Sequence, residues 1–97
     1  MQNSVQIFES EEFGKVRVVE KDGQPWWVLR DVCEALGLKN PAVVASRLDE
    51  DEKGVSLIYT LGGNQKLKVI SESGLYAVIL RSDKPQARAF RRWILCA

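Results

Sequence analysis

The chain has 97 residues, 45% hydrophobic and 28% charged, with seven Gly and three Pro, a composition that fits one globular domain and excludes disordered, collagenous and low-complexity classes. It contains no histidine and only two cysteines, Cys33 and Cys96, in no Cys-x-x-Cys spacing, which removes His-based acid–base work, Ser-His-Asp triads, a structural zinc site and a disulfide framework. The net charge of +1 hides an asymmetry: residues 1–59 carry seven Lys/Arg against eleven Asp/Glu (−4), and residues 60–97 carry seven against two (+5), which makes a polar molecule with a basic final third.

The N-terminal third reads as sheet. Val5 to Glu9 alternates, with Val5, Ile7 and Glu9 on one face. Lys15 to Glu20 places Val16 and Val18 on one face and Arg17 on the other. Asp22-Gly23 is a two-residue hairpin signal, and Pro25 to Leu29 is the return strand, with Pro25 where no ladder donor is needed. Trp26 and Trp27 project to opposite faces of that strand, one toward the core and the other either buried under a helix or forming a stacking or partner surface.

A helix is expected from Asp31, with Asp31 as N-cap, Glu34 three residues on, and Gly37 as the stop. Asn40 as N-cap and Pro41 at the first position start a second helix to about Leu48, with Val43, Val44 and Leu48 as its apolar side. Asp49 to Gly54 reads as a solvated charged loop, lacking the alternating ligands of an EF-hand. A second hairpin follows, Val55–Leu61 and Gln65–Ile70 around Gly62-Gly63-Asn64, with Lys66 and Lys68 facing water. Ser71 caps a third helix, Glu72–Arg81, whose Leu75, Val78, Ile79 and Leu80, with Tyr76, predict a buried central helix. A last helix, Pro85 to about Leu95, sets Ala87, Phe90, Trp93 and Ile94 on one side and Arg88, Arg91 and Arg92 on the other. The fold class is α+β: a small sheet of two hairpins packed with about four short helices.

Two features point to a polyanion. Arg88, Arg91 and Arg92 share one helical face, a spacing that lets several guanidinium groups reach neighbouring phosphates; Arg81 and Lys84 precede them, and Lys66 and Lys68 supply further exposed cations. Asp31 to Leu48 also has a helix-turn-helix pattern, with Cys33, Gly37, Leu38 and Val43 at its small, turn and apolar positions. Ser46 stands where an apolar residue is usual. Lys39, Asn40, Ala42, Ser46 and Arg47 are its outward side chains. No nucleophile, base and oxyanion donor can be assembled, so no enzyme, metal site or cofactor is expected. The longest apolar run, Leu75 to Leu80, is far too short to span a membrane, and the first residues lack signal-peptide regions; a cytoplasmic protein is expected.

Five ordered blocks carry a resemblance. They are Phe8–Val19 (Phe-Glu-Ser-Glu-Glu-Phe-Gly-Lys-Val-Arg-Val-Val), Pro25–Pro41, Gly62-Gly-Asn-Gln65, Glu72-Ser-Gly-Leu-Tyr76 and Arg81–Trp93. In this order they resemble the Bro-N domain, the N-terminal domain of baculovirus BRO proteins and of many phage and prophage antirepressors, over about residues 6–94. The resemblance implies a non-catalytic DNA-binding domain of a phage regulatory protein, followed by a separate C-terminal domain. Ser71 replaces the family's usual Asn, and either residue can cap a helix. The family's Leu-Pro and basic continuation is absent after Ile94, so residues 1–97 are expected to be a single Bro-N-like domain, isolated or truncated from a longer protein, with Cys96 exposed and Cys33 protected.

On this reading Arg88, Arg91, Arg92, Arg81, Lys84, Lys66 and Lys68 contact phosphates of double-stranded DNA, and Lys39, Asn40, Ser46 and Arg47 contact base edges. A phage repressor and a second copy of the chain are the further partners it admits. The alternative is a protein-interaction module that grips a repressor or other partner, using an exposed Trp26 or Trp27 and the acidic loop as a mimic of DNA charge.

Overall fold

In a computed structural model the described residues are 5–60, 62–82 and 84–96, without the side chains of Tyr59, Thr60 and Cys96. The expected exposure of Cys96 therefore lies outside them. Five strands, β1 (Val5–Ser10), β2 (Gly14–Lys21), β3 (Gln24–Val28), β4 (Lys53–Thr60) and β5 (Gly63–Ile70), form one antiparallel sheet in the order β1-β2-β3-β5-β4. The helices are α1 (Leu29–Leu36), α2 (Pro41–Ser46), α3 (Glu72–Arg81) and α4 (Ala87–Cys96).

The hairpin signals hold. Asp22 and Gly23 both take positive φ (54° and 76°) between the paired Lys21 and Gln24, the backbone of a turn that matches strand twist. The second hairpin is tighter than expected: β4 starts at Lys53, and Thr60 pairs with Gly63.

Alternation gives the sheet two apolar faces. Phe8, Val16, Val18, Trp27 and Ile70 face the helices, which return Val32, Cys33 and Leu36 from α1, Leu75, Val78 and Ile79 from α3, and Ala87, Phe90 and Ile94 from α4. Val19, Val28, Ile58 and Val69 form a smaller buried cluster on the opposite face, flanked by Trp26 and Leu67. The two indoles separate as expected. Trp27 is buried, its Nε1–H without a partner among the described residues, a cost of about 1–3 kcal/mol. Trp26 is half-buried, with Lys21 Nζ 5.0 Å from its ring centre. The β1–β2 turn is pinned by Ser10 Oγ, which accepts from the Glu12 N–H (3.1 Å), and it lays Phe13 against α4. There Phe13, Phe90 and Trp93 pack with ring centroids 5.3–5.8 Å apart.

Four local expectations are corrected. Asp31 does not cap α1: the helix begins two residues earlier, Val28 is its N-cap position, and no side chain caps it. Asp31 is buried and accepts three hydrogen bonds from Arg17, from the backbone N–H (3.0 Å), Nε (2.8 Å) and Nη2 (2.9 Å). Continued register would put Arg17 opposite Val28, where the chain leaves the sheet for α1, so the carboxylate takes the place of a lost strand partner. Glu34 is exposed on α1 and completes no capping box. Next, α2 ends at Ser46, not Leu48, and Asn40 makes no side-chain cap bond; Val43 is 43% exposed and Ala45 is buried instead, because six residues present only a narrow inner face. Leu80 is 75% exposed, since α3 buries only its Gly74, Leu75, Val78 and Ile79 side. Finally, Pro85 and Gln86 form a turn before α4, tied to α1 by Gln86 Nε2 donating to the Leu36 carbonyl (3.2 Å).

The acidic segment is ordered. Glu50–Glu52 make one 3-10 turn. The Glu52 carboxylate accepts from the Asp49 N–H (2.9 Å) and the Ser73 hydroxyl (2.9 Å), while its carbonyl accepts from the Ser71 N–H (3.0 Å). The start of α3, capped by Ser71 Oγ on the Gly74 N–H (3.2 Å), thus docks on this turn. A Cβ at Gly74 would lie 3.0 Å from the Glu52 carbonyl oxygen, so any larger residue would push the docked turn outward by a few tenths of an ångström.

Asp31→Ala leaves the Arg17 charge and N–H partly buried without an acceptor, and is expected to cost about 2–4 kcal/mol in urea unfolding. Arg17→Lys keeps the charge but loses the forked contact, and should recover only part of this. Burial pushes the Cys33 thiol up to about 11. The unfolded thiol ionises near its ordinary value of 9.0 while the folded one holds its proton. Stability should therefore fall as pH rises from about 9 to about 11, and Cys33→Ala should remove that component of the decline.

Candidate nucleic-acid interface

The structure sorts the sequence-predicted cations into groups. On one flank of α2 lies a groove of about 440 Å³ between Ala42, Ala45 and Ser46 of α2 and Lys53, Val55 and Lys68 of the β4–β5 hairpin, with Leu29 and Ile70 as its floor. Ser46 and Lys68, assigned to different roles and 22 positions apart in sequence, share this groove. Lys66 continues the same row outward on β5, since Lys66 and Lys68 alternate with the inward Leu67 and Val69. Lys53 is partly occupied by Glu50, 3.6 Å away.

On the other flank of α2, Val44, Arg47 and Leu48 meet Ala77, Val78 and Arg81 of α3 around a small apolar notch. Arg81 Nη1 donates to the Arg47 carbonyl at 3.4 Å, a cation at the C-terminal end of α2, where the helix dipole favours one. Arg81 therefore positions α2 as well as presenting charge. Sequence reasoning missed that role, which needs the α2–α3 contact to be seen. Lys84 lies near the α1–α2 turn, its Cε 3.9 Å from where a Cβ of Gly37 would stand. Lys39 and Asn40 are exposed in that same connection.

The α4 arginines form a separate group. Arg88, Arg91 and Arg92 are exposed, opposite the buried Ala87, Phe90 and Ile94. The Arg91 guanidinium stands 5.9 Å from the centre of the Tyr76 ring on α3. Tyr76 meets α4 whereas Ala77 meets α2. Adjacent helical residues diverge by about 100°, so α2 and the Arg91 side of α4 lie on different flanks of α3.

The acidic turn is held at the N-terminal end of α3, and Arg81 closes its C-terminal end, about 15 Å along the axis at 1.5 Å per residue. The charge asymmetry of the sequence is thereby partly spatial. Among the described residues no group of three or more His, Cys, Asp or Glu could hold a metal ion, and no helix is long and apolar enough to cross a membrane.

Residues 15–97 match Bro-N, the BRO family N-terminal domain. The chain belongs to this family. The Bro-N domain is also 30% identical over 98 residues to a protein of Haemophilus influenzae (strain Rd) described as uncharacterized, covering 97% of this chain and 48% of that protein. The chain thus spans about half the length of the curated relative it matches. No solved structure matches it. Membership places the domain among BRO-type regulatory domains, and the small α+β fold agrees with the class read from the pattern of strands and helices in the sequence.

Because Arg88 and Arg92 are exposed on α4, their replacement by Ala should change unfolding free energy by less than about 0.5 kcal/mol each. Arg91→Ala should cost about 0.5–1 kcal/mol through the lost ring contact. Thermal melts of the three single variants check this ordering.

Proposed function

We propose that this Bro-N domain is the non-catalytic DNA-binding part of a phage or prophage antirepressor-type regulator acting in the cytoplasm, with α2 as the element presented to the duplex. The observation that carries the reading is the bracketing of α2 by cations on both flanks, Lys66 and Lys68 from the hairpin on one side and Arg81 on the other. An α-helix with its side chains is about 10–12 Å across and the major groove about 12 Å wide. A short helix seated there brings cations on its two flanks toward the two phosphate backbones. Lys39, Asn40, Ser46 and Arg47 are exposed on or beside α2, where polar and cationic side chains pair with base edges. Glu52 tethers the acidic turn to Ser73 at the start of α3, while Glu50 lines the groove beside Ser46 and partly neutralises Lys53 there.

The test is a fluorescence titration with duplex DNA at several salt concentrations. Lys66→Ala, Lys68→Ala and Arg81→Ala should each weaken binding on every sequence and lower the salt slope by about one. Arg47→Ala should change sequence preference more than slope. An Arg88/Arg91/Arg92→Ala triple variant that alone abolishes the slope would move the interface to α4. Binding to no duplex at low salt would overturn the DNA reading and favour the protein-interaction alternative.

A further inference from the structure

The acidic run divides between two grooves. Asp51 lines one beside Trp26 and Glu72, whereas Glu50 lines the groove beside α2 with Ser46, Lys53 and Lys68. In the hairpin ladder Lys53 stands opposite Ile70, Lys68 opposite Val55 and Lys66 opposite Leu57. Opposed residues and every second residue share a face, so the three lysines lie on the side of Ile70, which faces the helices. Their Cβ atoms follow one another at about 7 Å. Lys66 and Lys68 are exposed, while Lys53 is paired with Glu50.

That pair is lopsided. Lys53 Nζ is 3.6 Å from Glu50 Oε1, with the lysine side chain 29% exposed and the glutamate side chain 98%. The lysine is held in the groove by its place on β4. The carboxylate reaches in from the 3-10 turn and, among the described residues, has Lys53 as its sole partner. The turn itself is closed by the capping box of Asp49 and Glu52, so Glu50 is free of that work. Charge-assisted bonds run to about 2.7–2.9 Å; a longer, exposed pair belongs to the weak, salt-screened class, and its carboxylate can leave without disturbing the turn.

We infer that Glu50 is a displaceable counter-ion that withholds Lys53 from the phosphate-binding row until a duplex backbone takes its place. The inference rests on the DNA reading of the α2 surface and adds to it a residue that opposes binding. A phosphate arriving beside Lys66 and Lys68 meets Glu50 as a like charge. Once seated, it offers Lys53 the anionic oxygens that the carboxylate had supplied, and Glu50 turns to solvent. Affinity is lowered twice, by the repulsion and by the broken ion pair. The hairpin thus grips a passing polyanion with two lysines and engages the third only where the backbone sits deep enough to expel Glu50. Asp51 shares the charge of Glu50 but neither its partner nor its groove.

The experiment is a fluorescence titration of a mixed-sequence duplex at several salt concentrations, with the parent, Glu50→Gln, Asp51→Asn, Lys53→Gln and the Glu50→Gln/Lys53→Gln pair. Glu50→Gln should tighten binding by about two- to fivefold more than Asp51→Asn, which removes the same charge; that factor is the range of an exposed ion pair. It should also steepen the salt slope by about one. Lys53→Gln keeps the side-chain stem in the groove and should weaken binding by the same two- to fivefold more in the Glu50→Gln background than in the parent. Equal gains from Glu50→Gln and Asp51→Asn, or equal losses from Lys53→Gln in the two backgrounds, would overturn the inference and leave the α2 reading standing. A parent and a Glu50→Gln domain that both ignore duplex at low salt would sink the DNA reading, and this inference with it.

Discussion

The Arg17–Asp31 contact fixes how the rest of the molecule is assembled. At Val28 the chain abandons the sheet and turns into a helix, while β2 runs on beside it with a backbone donor facing the gap. Asp31, in the first turn of α1, closes that gap by accepting the Arg17 N–H and both ends of its guanidinium fork. The hydrogen bonds with Asp31 in turn hold the Arg17 guanidinium above its already high ordinary pKa. The contact sets the angle at which α1 lies on the sheet. Because α1 touches β2, β5, α2 and α4, that angle propagates to α2 and hence to the groove beside it. Charge-assisted bonds of this geometry are the stronger class, and here they are spent on orientation more than on burial.

α3 divides the charge. Its N-terminal end receives the acidic turn, where the helix dipole favours carboxylates, and its C-terminal end carries Arg81. Residues 47–52 run back along it, so the basic end of α2 and the acidic turn, close in sequence, are anchored toward opposite ends of one helix. Glu52 makes that anchoring, while Glu50 stays beside α2, lining the groove with Ser46 and pairing with Lys53.

Features that depend on local chemistry were legible in the sequence. Asp22-Gly23, the Ser71 cap, Gly37 as helix stop, the exposed Lys66 and Lys68, and the apolar and arginine faces of α4 all follow from spacing of a few residues. What failed was long-range or a matter of length. Asp31 sits where a cap is plausible, and only the sheet reveals that its partner is fourteen residues back. Val43 and Leu80 fit an apolar stripe, yet lie beyond what a six-residue helix and a one-sided helix can bury. Likewise, the helix-turn-helix pattern named Ser46 and Arg47, and the placement of cations named Lys68 and Arg81, but their partition between the flanks of α2 needs the hairpin and α3 in place. The five sequence blocks located the family, while the grouping of its cations came from the tertiary contacts.

The sheet is joined at its middle by only two residue pairs, Trp27 with Ile70 and Val28 with Val69. On either side, β1–β2–β3 and β4–β5 are hairpins whose contacts lie close along the chain. The seam instead unites segments separated by α1, α2 and the acidic turn, and its closure must meet the entropy of that whole loop before it gains two pairs of ladder contacts. Folding should accordingly be hierarchical, with hairpins and α1 forming early and the seam late. The rate-limiting step would then be the arrival of Val69 and Ile70 beside the two residues that precede α1.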